Sequence, residues 1–231
     1  MKTFTRPFIG LLTLTAASLI GPTVPGALAE DSADPHAHHH MMMQEGMHSG
    51  SDDASDPHAH HHHMMMPETT RSTLDYKIPQ LSLVREDGKR VFLPDELNDG
   101  RAIVLNFIFT TCTAICPVTS KVFSQLQDKL GNDQNRVHLV SISIDPENDT
   151  PAVLREYAQK FGAGKGWQFY TGTVQDSIAA QQAFGVYRGD KMNHMPVTLL
   201  RTAPGKPWVR IDGFATADQL LHEFGEMLAS K

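Results

Sequence analysis

The pattern of hydrophobic positions divides the chain into three parts. Residues 8–20 form an apolar run, residues 30–70 contain almost no aliphatic or aromatic side chain, and from Leu74 onward apolar and polar positions alternate as in a folded domain. A segment with so few apolar residues does not bury enough surface to offset the entropy lost on ordering. The pattern therefore predicts a leader at 1–29, a disordered tail at 30–70 and a folded domain at 71–231.

Within the folded part, the pattern predicts strands that alternate with helices. The continuous apolar, β-branched run at 102–109 is typical of a strand buried on both faces, and residues 137–144 are predicted to form the next buried strand. Apolar residues at every fourth position from Val118 to Leu130 predict a helix that ends at Gly131. Further patterns predict a hairpin of strands 81–84 and 90–93, a helix at 150–162, strands at 167–170, 197–200 and 208–211, and helices at 176–184 and 217–228. This order predicts an α/β sandwich with a mixed sheet and an N-terminal hairpin extension, which matches a thioredoxin-like layout.

The first 29 residues have the layout of a secretory signal. Lys2 and Arg6 precede the apolar run, and Ala27-Leu28-Ala29 forms a small-residue cleavage site. We therefore expect export to the periplasm, with cleavage after Ala29. The apolar run is shorter than the roughly 20 residues of a membrane span, but an uncleaved N-terminal anchor stays open as an alternative. Apart from such an anchor, we expect membrane contact only through a partner.

Composition narrows the possible partners. The formal net charge is -6, which argues against a nucleic-acid partner. The chain has two cysteines, Cys112 and Cys116, and in an oxidising compartment such a pair is a candidate structural disulfide.

The tail at 30–70 is rich in metal ligands. It contains the imperfect repeat DPHAHHHMMM and DPHAHHHHMMM, and ten of the 13 histidines lie between His36 and His63. Imidazole binds Cu(II), whereas thioether sulfur selects Cu(I), so a strip with both ligands indicates copper collection. The candidate tail ligands are His36, His38, His39, His40, Met41, Met42, Met43, His58, His60, His61, His62, His63, Met64, Met65 and Met66.

A second group of candidate ligands lies in the folded domain. Cys112 and Cys116 are four residues apart near the start of a predicted helix, so their sulfurs share a face and can chelate a soft metal or close a disulfide. His194 stands in the polar segment GDKMNHMP before the strand at 197–200, and in a thioredoxin-like layout this loop lies against the cysteine-bearing helix. A Cys-Cys-His set suits Cu(I) and also accommodates Cu(II). We expect His138 to be structural and His222 to lie on the surface.

The motifs FTTCTAICPVTS and SISIDPENDTP, with an Asn-His pair before a strand, resemble those of the SCO/SenC family of copper-binding thioredoxin-like proteins. The resemblance implies a role in assembling the copper centre of cytochrome c oxidase, with Cys112, Cys116 and His194 as copper ligands. Asn193 departs from the family, which often has an acidic residue there. Pro196 resembles the cis-proline of redox-active thioredoxins, and for Met195 packing is favoured over a thioether ligand.

The leading hypothesis is a copper chaperone rather than an enzyme. The tail would collect copper, the Cys-Cys-His site would hold it, and an acceptor such as cytochrome c oxidase subunit II would receive it. A second hypothesis is a thiol-disulfide oxidoreductase that uses Cys112 and Cys116 on the cysteines of the acceptor. A third is a periplasmic copper buffer in which the tail is the functional part. Another copper chaperone or a thiol reductant is a further expected partner.

Overall fold

The computed structural model describes residues 68–229, with side chains to Met227. The predicted leader and the tail ligands lie outside the described residues. The strands are β1 (Thr70–Leu74), β2 (Ser82–Arg85), β3 (Arg90–Phe92), β4 (Ala102–Ile108), β5 (Val137–Ser143), β6 (Trp167–Thr171), β7 (Val197–Arg201) and β8 (Trp208–Asp212). The helices are α1 (Leu93–Leu97), α2 (Ile115–Leu130), α3 (Pro151–Lys160), α4 (Val174–Ala183) and α5 (Ala217–Ala229), with 3₁₀ turns at Gly131–Arg136 and Lys191–Asn193.

The strands described form one mixed sheet in the order β1-β8-β7-β4-β5-β6-β2-β3. Strand β4 is central, because it pairs in parallel with β5 and antiparallel with β7. The predicted hairpin is confirmed: β2 pairs with β3, and Gly88 adopts a positive φ of 87° in the turn between them. The predicted α/β sandwich with a mixed sheet is therefore confirmed.

Apolar side chains cover both faces of the sheet. Along β4, Val104 and Ile108 pack with helices α2, α3 and α5, whereas Leu105 and Phe107 pack on the opposite face with α1 and α4. Every residue of β4 is buried, as the continuous apolar run predicted. None of the helices in the described part is both long and apolar enough to cross a membrane.

Several local features differ from the sequence-based expectation, among them the short helix α1, which no pattern predicted. Strand β1 was not predicted, because its largely exposed residues TRSTL carry no clear alternation and it is held by pairing with β8. Val118 belongs to the apolar row that predicted helix α2, but it is 42% exposed, whereas Phe123, outside that row, is fully buried. Helix α2 begins at Ile115, so Cys112 precedes the helix instead of sharing its face.

Candidate metal and thiol site

The two cysteines lie where the central strand β4 leads into helix α2. Cys112 is partly buried, Cys116 is fully buried, and both are free thiols. The Sγ of Cys112 accepts a hydrogen bond from the backbone N–H of Cys116 at 3.4 Å. Cys112 thereby satisfies one of the unpaired N–H groups at the start of the helix, where the N-cap residue Ala114 makes no side-chain cap. The four-residue spacing brings the thiols together through this contact.

The surroundings of the two thiols are unequal. Burial acts to raise the pKa of the Cys112 thiol, but the backbone N–H groups of residues 114–116 outweigh it, so this pKa lies below its usual value. Burial raises the pKa of the Cys116 thiol far above its usual range, although the N–H of Phe109 donates to its Sγ at 3.4 Å and acts in the opposite direction. Cys112 is therefore the more reactive thiol at neutral pH.

His194 is held in one orientation at the same end of the sheet. It is 5% exposed, and its Nε2 lies 3.0 Å from the backbone carbonyl oxygen of Phe107. Because a carbonyl only accepts hydrogen bonds, Nε2 carries the proton and Nδ1 carries the lone pair. Burial lowers the pKa of His194, although the hydrogen bond to Phe107 acts in the opposite direction. The ring is therefore neutral at pH 7, with Nδ1 available to a ligand.

The Sγ of Cys116 accepts a hydrogen bond from the backbone N–H of Phe109, and the Nε2 of His194 donates one to the backbone carbonyl of Phe107, two residues earlier. In extended backbone, residues two apart direct their main-chain groups to the same side. Within residues 68–227, however, no three His, Cys, Asp or Glu side chains are grouped as a metal site. The structure thus brings Cys112 and Cys116 together and places His194 near the same strand end. The three side chains do not meet at one point.

A buried carboxylate that the sequence analysis missed stabilises the loop before Cys112. Asp149 is fully buried, and it accepts hydrogen bonds from the backbone N–H and the hydroxyl of Thr110 and from the hydroxyl of Ser143 at 2.6 Å. Burial raises the pKa of Asp149, while the hydrogen bonds from Ser143 and Thr110 act in the opposite direction. The DPENDTP motif was the available signal, but the sequence pattern there predicts only the helix at 150–162.

The other acid of that motif fixes the turn before His194. Asp145 is 5% exposed and forms an ion pair of 2.6 Å with Lys191, which begins the 3₁₀ turn Lys191–Asn193. The backbone N–H of His194 in turn donates to the carbonyl of Lys191 at 3.1 Å. Asp145 therefore connects the end of β5 to the histidine-bearing turn, and Lys191 is a site residue that sequence reasoning missed.

Two expectations beside His194 are wrong. Met195 was expected to pack, but it is 58% exposed. Pro196 was compared with a cis-proline, but the peptide bonds of the described residues are all trans. The other two histidines are as predicted: His138 is fully buried in hydrogen-bonded surroundings, and the side chain of His222 is 75% exposed.

An open cavity of about 300 Å³ lies beside the histidine. Its lining includes Asp145, Gln181, Tyr187, Arg188, Lys191 and His194. His194 is therefore reached from solvent on this side, although almost all of its surface is buried.

The fold and the site define a class of protein: an α/β sandwich domain with a thiol pair at a helix start and a neutral histidine at the same strand end. The family model of SCO1/SenC matches residues 70–229. The chain therefore belongs to the SCO1/SenC family, and its fold is the thioredoxin-like fold of that family.

Among the relatives is the SCO1 protein homolog of Bacillus subtilis, which is 35% identical over 109 residues, or 47% of this chain and 55% of the relative. The chain thus spans about half the length of this curated relative. BsSco, described as a member of the Sco family of cytochrome c oxidase assembly proteins with a disulfide switch, is 28% identical with a TM-score of 0.58, covering 69% of this chain and 98% of that one. Copper-bound ScoI of Arabidopsis thaliana is 26% identical with a TM-score of 0.57, covering 67% of this chain and all of the other.

Proposed function

We propose that this protein is a periplasmic copper chaperone that binds copper through Cys112, Cys116 and His194 and delivers it to a respiratory copper site. The acceptor is a copper-receiving subunit of cytochrome c oxidase, in keeping with the assembly role described for BsSco. In this proposal residues 1–29 are a signal peptide, residues 30–70 collect copper, and residues 71–231 form the chaperone domain.

The orientation of His194 is the observation that carries the proposal. Histidines that bind metals usually donate their other ring N–H to a carboxylate or a backbone carbonyl, which fixes the tautomer. The contact of 3.0 Å between Nε2 and the Phe107 carbonyl has this form and leaves the lone pair of Nδ1 for a metal. A buried histidine with a purely structural role would be expected to use both nitrogens, as His138 does.

The donor set fits copper. Two thiolates and one imidazole give Cu(I) three soft or borderline ligands, whereas structural Zn²⁺ sites require four. Binding needs a rearrangement, because the three side chains do not converge within residues 68–227. The partly exposed Cys112 precedes helix α2 and is the ligand with the most freedom to move.

Anaerobic titration of the reduced full-length protein with Cu(I), against a chelator strong enough to strip the tail, tests the site. We expect one tight equivalent, weakened at least roughly tenfold by each of Cys112→Ser, Cys116→Ser and His194→Ala. His222→Ala is the matched control, because that side chain is 75% exposed. An affinity of His194→Ala equal to that of His222→Ala would overturn the three-ligand site.

Deletion of residues 30–67, which leaves strand β1 intact, separates the chaperone from a copper buffer. A chaperone retains the tight equivalent after this deletion and loses only the weaker capacity of the tail. Loss of all tight binding would support the buffer instead.

A thiol-disulfide oxidoreductase is the second candidate, favoured by the inequality of the two thiols. The Cys112 thiolate would attack one sulfur of the acceptor disulfide and release the other as a thiolate; Cys116, after losing its proton, would then attack Cys112 and release the second. The acceptor gains two electrons, and this protein ends with a Cys112–Cys116 disulfide. A mixed disulfide that accumulates in Cys116→Ser but not in Cys112→Ser, with the oxidised acceptor subunit as substrate, would support this activity.

A further inference from the structure

Two exposed methionines flank the buried candidate ligand His194. The exposed fraction is 73% for Met192 and 58% for Met195, against 5% for His194. Large hydrophobic side chains are exposed at only six positions of residues 68–227, and these two are the most exposed: the set is Leu74, Phe92, Val118, Val174, Met192 and Met195. The two methionine side chains are therefore largely exposed to solvent within two positions of the candidate copper ligand.

The 3₁₀ turn that contains Met192 is held by several hydrogen bonds. The carboxylate of Asp190 accepts from the backbone N–H of Met192 at 2.9 Å, and the backbone carbonyl of the same aspartate accepts from Asn193 at 3.0 Å. The ion pair of Lys191 with the buried Asp145 ties the turn to the end of β5. The turn therefore holds the backbone of Met192, and Met195 follows directly after His194.

Packing does not account for methionine at these positions. Burial of a large apolar side chain is worth about 1.5–3 kcal/mol, and side chains with most of their surface exposed gain little of it. What distinguishes methionine from a polar side chain here is its thioether, a neutral soft donor that selects Cu(I). A thioether is also a weaker ligand than a thiolate, so a metal bound to it can be passed on to cysteine sulfur.

We propose that Met192 and Met195 form a Cu(I) capture site that receives the ion from a weak donor and passes it to His194 and the two cysteines. The inference rests on the proposed copper-chaperone function and identifies where the ion first binds the domain. Transfer is ligand exchange: copper–thioether bonds break as copper–imidazole and copper–thiolate bonds form. The cysteines release their thiol protons to solvent, and copper remains Cu(I) throughout.

Methionine-methyl NMR tests the capture site directly. The probe is Cu(I), supplied anaerobically as its acetonitrile complex to the full-length Cys112→Ser/Cys116→Ser variant, in which the methionines carry ¹³C methyl groups. Met192→Leu and Met195→Leu assign the two resonances. We expect both to shift and saturate with added Cu(I), whereas Met227, which packs partly buried against the core, keeps its position. Two unshifted resonances at saturation of the tail would refute the capture site.

A rate measurement tests the transfer. Stopped-flow mixing of the reduced full-length protein with Cu(I) bound to a methionine-rich peptide follows the thiolate–Cu(I) absorption. Leucine keeps the size and apolarity of methionine without its sulfur, so we expect Met192→Leu/Met195→Leu to slow loading about tenfold, in the range found for residues that support metal ligands. Its equilibrium affinity for Cu(I) should stay at the wild-type value, and Met227→Leu should load at the wild-type rate.

The two proposals fail in different ways. Absence of any tight Cu(I) equivalent in the wild-type protein would remove the chaperone function and the capture site with it. A tight equivalent that loads at full speed in Met192→Leu/Met195→Leu would leave the chaperone in place and remove only the capture site.

Discussion

The Nε2 of His194 lies 3.0 Å from the backbone carbonyl oxygen of Phe107, just beyond the end of a strand ladder. The pairing between β4 and β7 ends at Asn106 and Thr198. The next carbonyl of β4, that of Phe107, therefore accepts a hydrogen bond from a side chain instead of from the neighbouring strand. The contact serves two purposes: it satisfies a buried carbonyl, and it fixes which nitrogen of His194 holds the lone pair.

The pH titration of His194 should reflect this burial. Because burial lowers the pKa of His194 in the folded chain, protonation favours the unfolded chain. The stability contribution is complete above the ordinary pKa of histidine and is lost as the pH falls through the lower folded value. We expect ¹⁵N NMR to show the Nε2–H tautomer at pH 7 and a midpoint below that of free histidine. In urea unfolding, the free energy of unfolding of His194→Gln should fall less on acidification than that of the wild-type protein. An equal dependence on pH would contradict this assignment.

The two thiols should differ in reactivity. The pKa of Cys112 is lowered and that of Cys116 is raised, so at pH 7 the thiolate is concentrated on Cys112. We expect iodoacetamide to modify Cys112 at least about tenfold faster than Cys116, since one unit of pKa corresponds to tenfold in the protonation equilibrium. Mass spectrometry of peptides from a short pulse measures both rates. A Cys116→Ser variant should keep the fast phase and Cys112→Ser should lose it; the reverse pattern would assign the reactive thiol to Cys116.

Asp149 should contribute to both stability and copper affinity. Asp149→Ala leaves the part-buried donors of Thr110 and the buried hydroxyl of Ser143 without an acceptor, and we expect the free energy of unfolding to fall by about 3 kcal/mol. Because Thr110 precedes the thiol loop, Cu(I) affinity should also fall roughly tenfold, as for other groups that position metal ligands. Urea unfolding and chelator competition measure the two effects. Asp128→Ala, on the exposed side of helix α2, is the control; an equal effect there would contradict the positioning role.

The ion pair between Lys191 and Asp145 should act through the turn that carries His194. A double-mutant cycle of Lys191→Gln and Asp145→Asn isolates their coupling from the separate effects of each change. Lys191 is partly exposed, so we expect a coupling in stability of no more than about 1 kcal/mol. If the pair positions the ligand turn, Cu(I) affinity should show a coupling as well, whereas Lys165→Gln at an exposed site should leave it unchanged. Additive effects on copper affinity would show that the pair does not position His194.

The elements that sequence predicted best are those whose pattern is set by burial on both faces. Strands β4 and β5 stood out because most of their positions are apolar and every position is buried, which is typical of a short central strand. Strand β1 escaped prediction because it is exposed and is specified by its partner β8, which is about 140 residues away in sequence. The helix of α2 was predicted correctly, and Leu126 and Leu130 are buried, but Val118 is exposed because a row of residues four apart drifts around a helix of 3.6 residues per turn.

The candidate site was predictable in its ligand types and not in its supports. Cys112, Cys116 and His194 stand out as rare residues with a chemical reason to be together. Asp149 and Lys191 are common residue types whose roles arise only when distant segments meet: Asp149 contacts Thr110 across 39 positions, and Lys191 contacts Asp145 across 46. The DPENDTP motif marks both acids in the sequence, but it does not say that Asp149 meets Thr110 or that Asp145 meets Lys191.

A buried cluster at the other end of strand β5 offers a way to separate fold stability from copper chemistry. The hydroxyl of Tyr170 donates to a carboxylate oxygen of Glu96 at 2.6 Å and lies 3.1 Å from Nε2 of His138, near the start of the strand whose far end leads to Asp145. Tyr170→Phe removes the hydroxyl and leaves both partners short of a hydrogen bond, so we expect the free energy of unfolding to fall by about 2 kcal/mol.

Tyr157→Phe, which breaks only the contact with Ser120 at 2.9 Å, should cost about 1 kcal/mol by the same reasoning. Urea unfolding measures both variants. Since the Tyr170 cluster lies away from the thiols and from His194, Tyr170→Phe should keep wild-type Cu(I) affinity in chelator competition. A weakened copper site in this variant would mean that the buried cluster is coupled to the ligands through β5, and the separation of the two ends of the strand would then be wrong.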